Sequence, residues 1–277
     1  MFLVLKFTIV LFLLPLMAAG QGLSSQITNT VIKKWTSPQS FSQISGTATD
    51  IAVASDGTAY AIGLGVAPGG NEIFSMGPAA QAWTKLPGGA TRIAAGGTVV
   101  SVINIQGTIF RSLDGGQTWS SLPGWGSDIA VDDKGDLFVI GLQGAIFEMK
   151  AGTSSWLPLP GLGRTDASRI AASGDQQVAV SAGTAIYLID GSLAGNPWSP
   201  PSNSTAPVKD VALVRVSTPT GGVITTLINA VDAAGLMSQY GTTSGVLTNG
   251  GSYLAVAANS RVVWALDQAN HIYRATM

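Results

Sequence analysis

A repeat of about 40 residues, marked by tryptophan, is the feature that most constrains the fold of this chain. Trp35, Trp83, Trp119, Trp156 and Trp198 are separated by 48, 36, 37 and 42 residues, and a degenerate sixth unit begins near Val246. Two of the tryptophans begin nearly the same phrase, W-T-K-L-P-G and W-S-S-L-P-G. Self-similarity at such a period is typical of propellers and other repeat arrays.

Each unit contains three further β-rich segments. The first is an aliphatic residue followed by alanine: Ile51-Ala52, Ile93-Ala94, Ile129-Ala130, Ile170-Ala171, Val211-Ala212 and Leu254-Ala255. The second and third follow at about ten-residue spacing across Gly, Asn and Asp turns, as in antiparallel meanders. Four strands per period are typical of a propeller blade, so the sequence predicts an all-β fold, a six-bladed β-propeller of four-stranded antiparallel blades.

Two features indicate how the ring closes. The last unit has three strands and ends at Met277 without a tryptophan segment, whereas Ile27 to Trp35 precedes the first complete unit. An unpaired edge would leave backbone donors and acceptors open, so we expect this N-terminal strand to complete the last blade. We also expect the alanines to lie on the innermost strands, where least space is available around the axis.

The N-terminus resembles a secretory signal peptide. Lys6 is followed by the apolar run from Phe7 to Leu16 and then by small residues, with cleavage expected after Gly20. An uncleaved membrane anchor is the alternative, but it would need roughly 20 apolar residues. We therefore predict a secreted protein in which residues 1–20 are the signal peptide and residues 21–277 form one propeller domain.

Composition excludes several classes of function. The chain has no cysteine, and its formal net charge is −1. Because no basic cluster follows residue 34, nucleic acid is not an expected partner. No apolar segment after residue 20 approaches membrane-spanning length. We expect a monomer without a cofactor or a metal.

Catalytic machinery is not evident. The two glutamates, Glu72 and Glu148, both lie near predicted third strands, toward the rim, and His271 is the single histidine. One histidine forms neither a metal site nor an acid/base site by itself, and no G-x-S-x-G nucleophile elbow is present. The sequence therefore predicts a protein that is not an enzyme.

The segment from Ser112 to Trp119 fits the Asp-box pattern, which we interpret as a turn stabiliser.

Candidate binding residues come from the repeat register. The residues before the aliphatic–alanine pairs alternate in charge: Asp50, Arg92, Asp128, Arg169, Asp210 and then Tyr253. They predict either blade-to-blade ion pairs, which we favour, or a polar rim for glycan hydroxyls. The repeat tryptophans are likewise either inter-blade core, which we favour, or sugar platforms. Trp125 lies outside the register and is the better candidate for an exposed contact.

Asn203 begins the sequon Asn203-Ser204-Thr205 in a Pro- and Ser-rich loop, so we predict exposure and glycosylation.

The phrase W-x-x-L-P-G, followed by D-I-A-V, a D-G or K-G turn and G-x-I-F or H-I-Y, resembles the tectonin repeat over residues 27 to 277. The sequence departs from it where the closing tryptophan of the fifth unit is replaced near Val246, and in an inserted loop from Leu64 to Asn71. The resemblance implies a propeller lectin that binds lipopolysaccharide or other surface glycans between blades. Weak repeated sites gain from multivalency. The alternative is a protein-interaction or structural propeller without sugar specificity.

Overall fold

The computed structural model describes residues 41–174, 177–190, 202–204, 206–217, 224–240, 245–246, 252–259 and 262–276. Three predicted features lie outside these residues: the signal peptide (residues 1–20), the segment from Ile27 to Trp35, and Trp198. No helix within the described ranges is long and apolar enough to cross a bilayer. The described strands, in chain order, are β1 (Ser42–Thr47), β2 (Asp50–Val53), β3 (Ala59–Ala67), β4 (Gly70–Met76), β5 (Thr84–Ala90), β6 (Arg92–Gly96), β7 (Val99–Ile103), β8 (Ile109–Ser112), β9 (Ser120–Ser121), β10 (Asp128–Val131), β11 (Leu137–Ile140), β12 (Ile146–Met149), β13 (Leu157–Pro158), β14 (Ala167–Ser173), β15 (Gln177–Ala182), β16 (Ala185–Asp190), β17 (Ser202–Asn203), β18 (Val208–Ser217), β19 (Ile224–Asp232), β20 (Met237–Tyr240), β21 (Gly245–Val246), β22 (Tyr253–Ala258), β23 (Val262–Asp267) and β24 (His271–Thr276).

These strands form six four-stranded antiparallel sheets. Blades 1 to 5 are built from consecutive strands, β2–β5, β6–β9, β10–β13, β14–β17 and β18–β21, and blade 6 has the order β22-β23-β24-β1. The first strand of each blade contacts the first strand of the next, and β22 contacts β2 to complete the ring. The chain is therefore a six-bladed β-propeller, as the repeat predicts.

The ring is closed by an N-terminal strand, but not by the predicted one. β1, Ser42–Thr47, pairs antiparallel with β24, with Gln43 opposite Tyr273. The assignment of this role to Ile27–Trp35 was wrong because Trp35 is not in the repeat register. Phe41 is in register, since it precedes Ile51 by ten residues just as Trp83 precedes Ile93.

The first strands surround a narrow axial channel, whose cavity has a volume of about 90 Å³. Ala52, Ala94 and Ala130 line it and are 6%, 7% and 4% exposed. The small side chain suits this crowded position, as predicted. Aliphatic residues on either side of each first strand pack between neighbouring blades, so the core is distributed over the inter-blade interfaces.

The antiparallel order gives the propeller two distinct faces. Asp50 at the start of β2 pairs with Ile62 of β3, so the start of a first strand and the turn after the second strand lie at the same end of the blade. We call this end the upper face, and it also carries the connections from one blade to the next. The lower face carries the turns between first and second strands and between third and fourth strands.

Candidate functional site

Five of the charged residues predicted to form a ring come together at the upper end of the axial channel. Arg92 lies between two carboxylates, with Nη1 3.8 Å from Asp50 Oδ2 and Nε 3.3 Å from Asp128 Oδ1. Arg169 Nε lies 3.8 Å from Asp210 Oδ1. The predicted blade-to-blade ion pairs are therefore present.

The three carboxylates also bond to the backbone of the next blade. Asp50 Oδ2 accepts the N–H of Ile93 at 2.9 Å, and Asp128 Oδ2 accepts the N–H of Ile170 at 2.8 Å. Asp210 Oδ2 accepts the N–H of Val256 at 2.7 Å. Each aspartate thus joins its own first strand to the neighbouring first strand, linking blades 1 to 2, 3 to 4 and 5 to 6.

The assignment of Tyr253 to this ring was wrong. By analogy with Ile93 and Ile170, the N–H of Val256 marks the first residue of the aliphatic–alanine pair, so the pair in blade 6 is Val256-Ala257 and the ring position is Ala255. Tyr253 lies two residues earlier, before a β-bulge, and is 4% exposed. Its ring packs 5.8 Å from that of Phe41. The ring consequently has three acids, two bases and one alanine.

Burial changes the acidity of the ring carboxylates. Loss of solvation raises the pKa of Asp128 to about 6 and that of Asp210 to about 7, and Arg169 opposes this rise at both. Burial also raises the pKa of Asp50, against the opposing effect of Arg92. The ring therefore holds more negative charge than its two guanidinium groups fully stabilise.

The described repeat tryptophans join neighbouring blades. The indole N–H groups of Trp83, Trp119 and Trp156 donate to the carbonyls of Ser45, Pro87 and Pro123, at 2.9, 2.9 and 2.7 Å. Ser45 and Pro87 belong to the fourth strand of the preceding blade, and Pro123 follows the fourth strand of blade 2 by two residues. The three rings are half-buried and pack against the hydrophobic clusters between blades. The predicted inter-blade role is confirmed for these three residues.

A pocket of about 400 Å³ lies between blade 6 and blade 1. Its walls are Ser45–Thr47 from β1, the segment Gly63–Gly65, and the half-buried rings of Phe74 and Trp83. Glu72 also lines it and forms an ion pair with Lys85. The pocket therefore combines aromatic surface, a carboxylate and backbone that lies in an irregular part of the β3–β4 ladder.

The residue that follows the second strand distinguishes this pocket from the equivalent position of blade 2. Gly63 has no side chain, and a β-carbon there would lie only 2.8 Å from the ring of Phe74. At the equivalent position of blade 2, the side chain of Asn104 accepts the N–H groups of Gln106 and Thr108. Blades 1 and 2 thus differ at this position, whereas blade 3 resembles blade 1, because a β-carbon on Gly141 would lie 3.0 Å from the ring of Phe147. The insertion from Leu64 to Asn71 was visible in the sequence, but the pocket beside it was not.

Exposed apolar side chains lie at upper-face turns of blades 1 to 3. Trp125 is 43% exposed and lies over Gly107, and its indole N–H donates to the carbonyl of Gln106 at 3.1 Å. The predicted exposure of Trp125 is confirmed. The other exposed members of this group are Leu64 (50%), Val66 (87%), Ile105 (68%) and Leu142 (69%).

The remaining singled-out residues have structural partners. In the Asp box, Asp114 accepts the N–H of Thr118 at 2.9 Å and the hydroxyl of Ser112 at 2.7 Å, as expected of a turn stabiliser. His271 Nδ1 lies 3.0 Å from Asp267 Oδ2. Glu72 and Glu148 are in the third strands of blades 1 and 3. Within the described ranges, no group of three or more His, Asp or Glu side chains is arranged to hold a metal ion.

The backbone of Asn203 does not lie in a loop as predicted. Ser202 and Asn203 form β17, the outer strand of blade 4, in which Asn203 pairs with Ala185. Glycosylation of Asn203 stays a prediction.

No protein-family model matches the chain, and no curated protein matches it in sequence. Solved structures do resemble it. YCF48 bound to D1 peptide has a TM-score of 0.52 at 14% identity, covering 87% of this chain and 95% of that one. Virginiamycin B lyase from Staphylococcus aureus has a TM-score of 0.55 at 12% identity, covering 82% and 79%. A chain of a mitotic checkpoint complex has a TM-score of 0.54 at 10% identity, covering 87% and 92%. At these identities the likeness shows the propeller fold, and the tectonin resemblance stays a prediction.

Proposed function

We propose that this chain is a secreted, non-catalytic lectin that binds surface glycans or lipopolysaccharide, with its main site in the pocket between blades 6 and 1. The pocket itself is the observation that carries the proposal. Its volume of about 400 Å³ lies in the range of small-molecule sites, which begin at about 300 Å³.

The lining chemistry suits a sugar ring. The rings of Phe74 and Trp83 offer apolar surface to the C–H groups of a pyranose. The carboxylate of Glu72 offers an acceptor to sugar hydroxyls, and so do backbone groups of Gly63–Gly65, which lie in the irregular part of the β3–β4 ladder. Secretion rests on the N-terminal sequence pattern, and it would bring the protein to extracellular glycans.

A glycan array with paired variants tests this proposal. Glu72→Gln keeps the shape of the side chain but removes its charge, so we expect binding to the preferred glycan to fall at least about tenfold, a loss of roughly 1.4 kcal/mol. Glu148→Gln is the matched control, because Glu148 is also a third-strand glutamate paired with a lysine but is remote from the pocket. Absence of any glycan binding by the wild-type protein, or equal binding by both variants, would contradict the proposal.

Protein binding is the second candidate function, favoured by the exposed apolar turns of blades 1 to 3. Leu64, Val66, Ile105, Trp125 and Leu142 present apolar surface on one face, which is typical of an interaction site when such residues are contiguous. One solved structure with this fold, YCF48, is bound to a peptide. Val66→Ser would abolish capture of a protein partner but leave glycan binding intact, which separates the two functions.

A further inference from the structure

The axial channel opens at the lower face into a second cavity, of about 270 Å³. Apolar residues of the first strands form much of its wall, including Val53 and Val131 at strand ends and Leu213 within β18. Its polar lining comes from four different blades and consists of Ser55, Asp133, Ser173 and Asn259. The cavity is slightly smaller than the ~300 Å³ at which sites for drug-sized ligands begin, so it suits a molecule of about one sugar ring.

One polar group of this cavity is buried without a partner. Ser173 is 5% exposed, and its Oγ has no hydrogen-bond partner within the described residues. Ser55 differs, because its Oγ accepts the N–H of Gly97 at 3.0 Å and donates to Asp133 Oδ1 at 3.3 Å. A buried polar group without a hydrogen bond destabilises the protein, because it has lost its bonds to water without replacement. A ligand that bonds to the Ser173 hydroxyl would remove this destabilisation.

The charges of the channel favour a cation. The ring at the upper end contributes three aspartates and two arginines, because its sixth position is Ala255. Asp133 adds a fourth carboxylate at the lower mouth. The four carboxylates of the channel outnumber its two guanidinium groups, which favours positive ligands.

We propose that the lower mouth is a binding site for a small molecule that carries a protonated amine. The amine would lie against the carboxylate of Asp133, and a hydroxyl of the same molecule would bond to Ser173. The site shares no lining residue with the pocket between blades 6 and 1, so it does not depend on the lectin proposal.

Titration of the isotope-labelled protein, followed by NMR at pH 7, tests the site with two matched pairs of probes. Ethanolamine is compared with ethylene glycol, and glucosamine with glucose. We expect each amine to bind at least tenfold more tightly than its neutral counterpart. Asp133→Asn should weaken amine binding at least tenfold, and Ser173→Ala should weaken it several-fold. Asp56→Asn is the control, because Asp56 lies in a lower-face turn, where it accepts the N–H of Thr58, and does not line the cavity.

Three outcomes would overturn the proposal: equal affinity for amines and their neutral counterparts, unchanged amine affinity in Asp133→Asn, or no saturable binding of any probe. A melting temperature for each variant establishes that it is folded. The Glu72→Gln variant should bind amines normally. A failed glycan array together with normal amine binding would reject the lectin proposal while supporting this site.

Discussion

Arg92 shows how single side chains hold neighbouring blades together. Its guanidinium lies within 3.8 Å of Asp50 in blade 1 and within 3.3 Å of Asp128 in blade 3, so it bridges two blades from the blade between them. The side chains of Asp50 and Asp128 are only 12% and 7% exposed. Charges that are this buried need their partner, since the loss of one ion leaves the other without compensation.

Arg92→Ala should therefore be strongly destabilising. We expect a loss of about 3 kcal/mol, at the lower end of the range for broken buried pairs because Arg92 itself is 23% exposed. Arg164→Ala is the control, since the Arg164–Asp166 pair lies at the surface and such pairs contribute less than about 1 kcal/mol. Chemical denaturation measures both changes.

Glycan binding by the folded Arg92→Ala protein tests the alternative that the ring is a polar rim for glycans. A variant with normal stability and reduced sugar affinity would favour that alternative over blade-to-blade ion pairs.

At the scale of elements, β1 determines whether the ring is closed. It supplies the fourth strand of blade 6, and the carbonyl of Ser45, near its end, accepts the indole N–H of Trp83 in blade 1. Ile44 of the same strand packs against the hydrophobic cluster that blades 1 and 6 share. A single six-residue strand thus connects the two ends of the ring in three ways: by its ladder, by its carbonyl and by its side chain.

A charge placed on the inner side of β1 should destabilise the whole propeller. Ile44→Asp puts a carboxylate against the shared cluster and removes buried apolar surface, which costs about 2 kcal/mol or more. The neighbouring residue Gln43 is exposed, so Gln43→Asp should change stability by less than about 0.5 kcal/mol. Thermal unfolding with several probes should show one cooperative transition at a lower temperature for Ile44→Asp. Similar melting temperatures for the two variants would mean that β1 does not close the ring.

The repeat predicted most of the elements because strand alternation and turn residues recur in each unit. Two positions could not be predicted in this way. Residues 253–257 read Y-L-A-V-A, which contains two aliphatic–alanine pairs, and a shift of two residues keeps every side chain on the same face of the strand. The bond from the N–H of Val256 to Asp210 and the position of Val256 and Ala257 in the channel wall distinguish the two registers in the structure. The closing strand was missed because Phe41 stands at the tryptophan position.

The candidate sites differ in how far sequence could indicate them. The Asp and Arg ring was visible because its members occupy one position of the repeat. The pocket between blades 6 and 1 was not, because Ser45, Gly63 and Trp83 come from three segments with no common register. The unpartnered hydroxyl of Ser173 likewise becomes evident only when the ends of the first strands meet around the axis.

At the scale of the whole molecule, all six blades line the same axial channel, which contains the charged ring. Its ring carboxylates are desolvated together, and the pKa of Asp210 is raised by burial and also by the neighbouring charges of Asp50 and Asp128. Because every blade contributes a first strand to the channel wall, the protonation of these groups affects the stability of the entire ring rather than of one blade.

Stability should fall as the pH rises from about 4 to about 8. In the unfolded chain these aspartates titrate near their ordinary pKa of about 3.9, whereas in the folded protein Asp128 titrates at about 6 and Asp210 at about 7. Between these values the folded state binds more protons than the unfolded state, so the free energy of unfolding decreases with increasing pH and becomes level above about 8, once Asp210 has lost its proton. We expect a melting temperature at pH 5 that exceeds the value at pH 8 by at least about 2 °C.

Two variants test the origin of this dependence. Asp210→Asn keeps an acceptor for the N–H of Val256 but cannot ionise, so its melting temperature should depend less on pH in this range. Asp56→Asn, which alters an exposed turn, should retain the wild-type dependence. A melting temperature that rises between pH 5 and pH 8 would show that the ring carboxylates are stabilised by their arginines more than they are destabilised by burial.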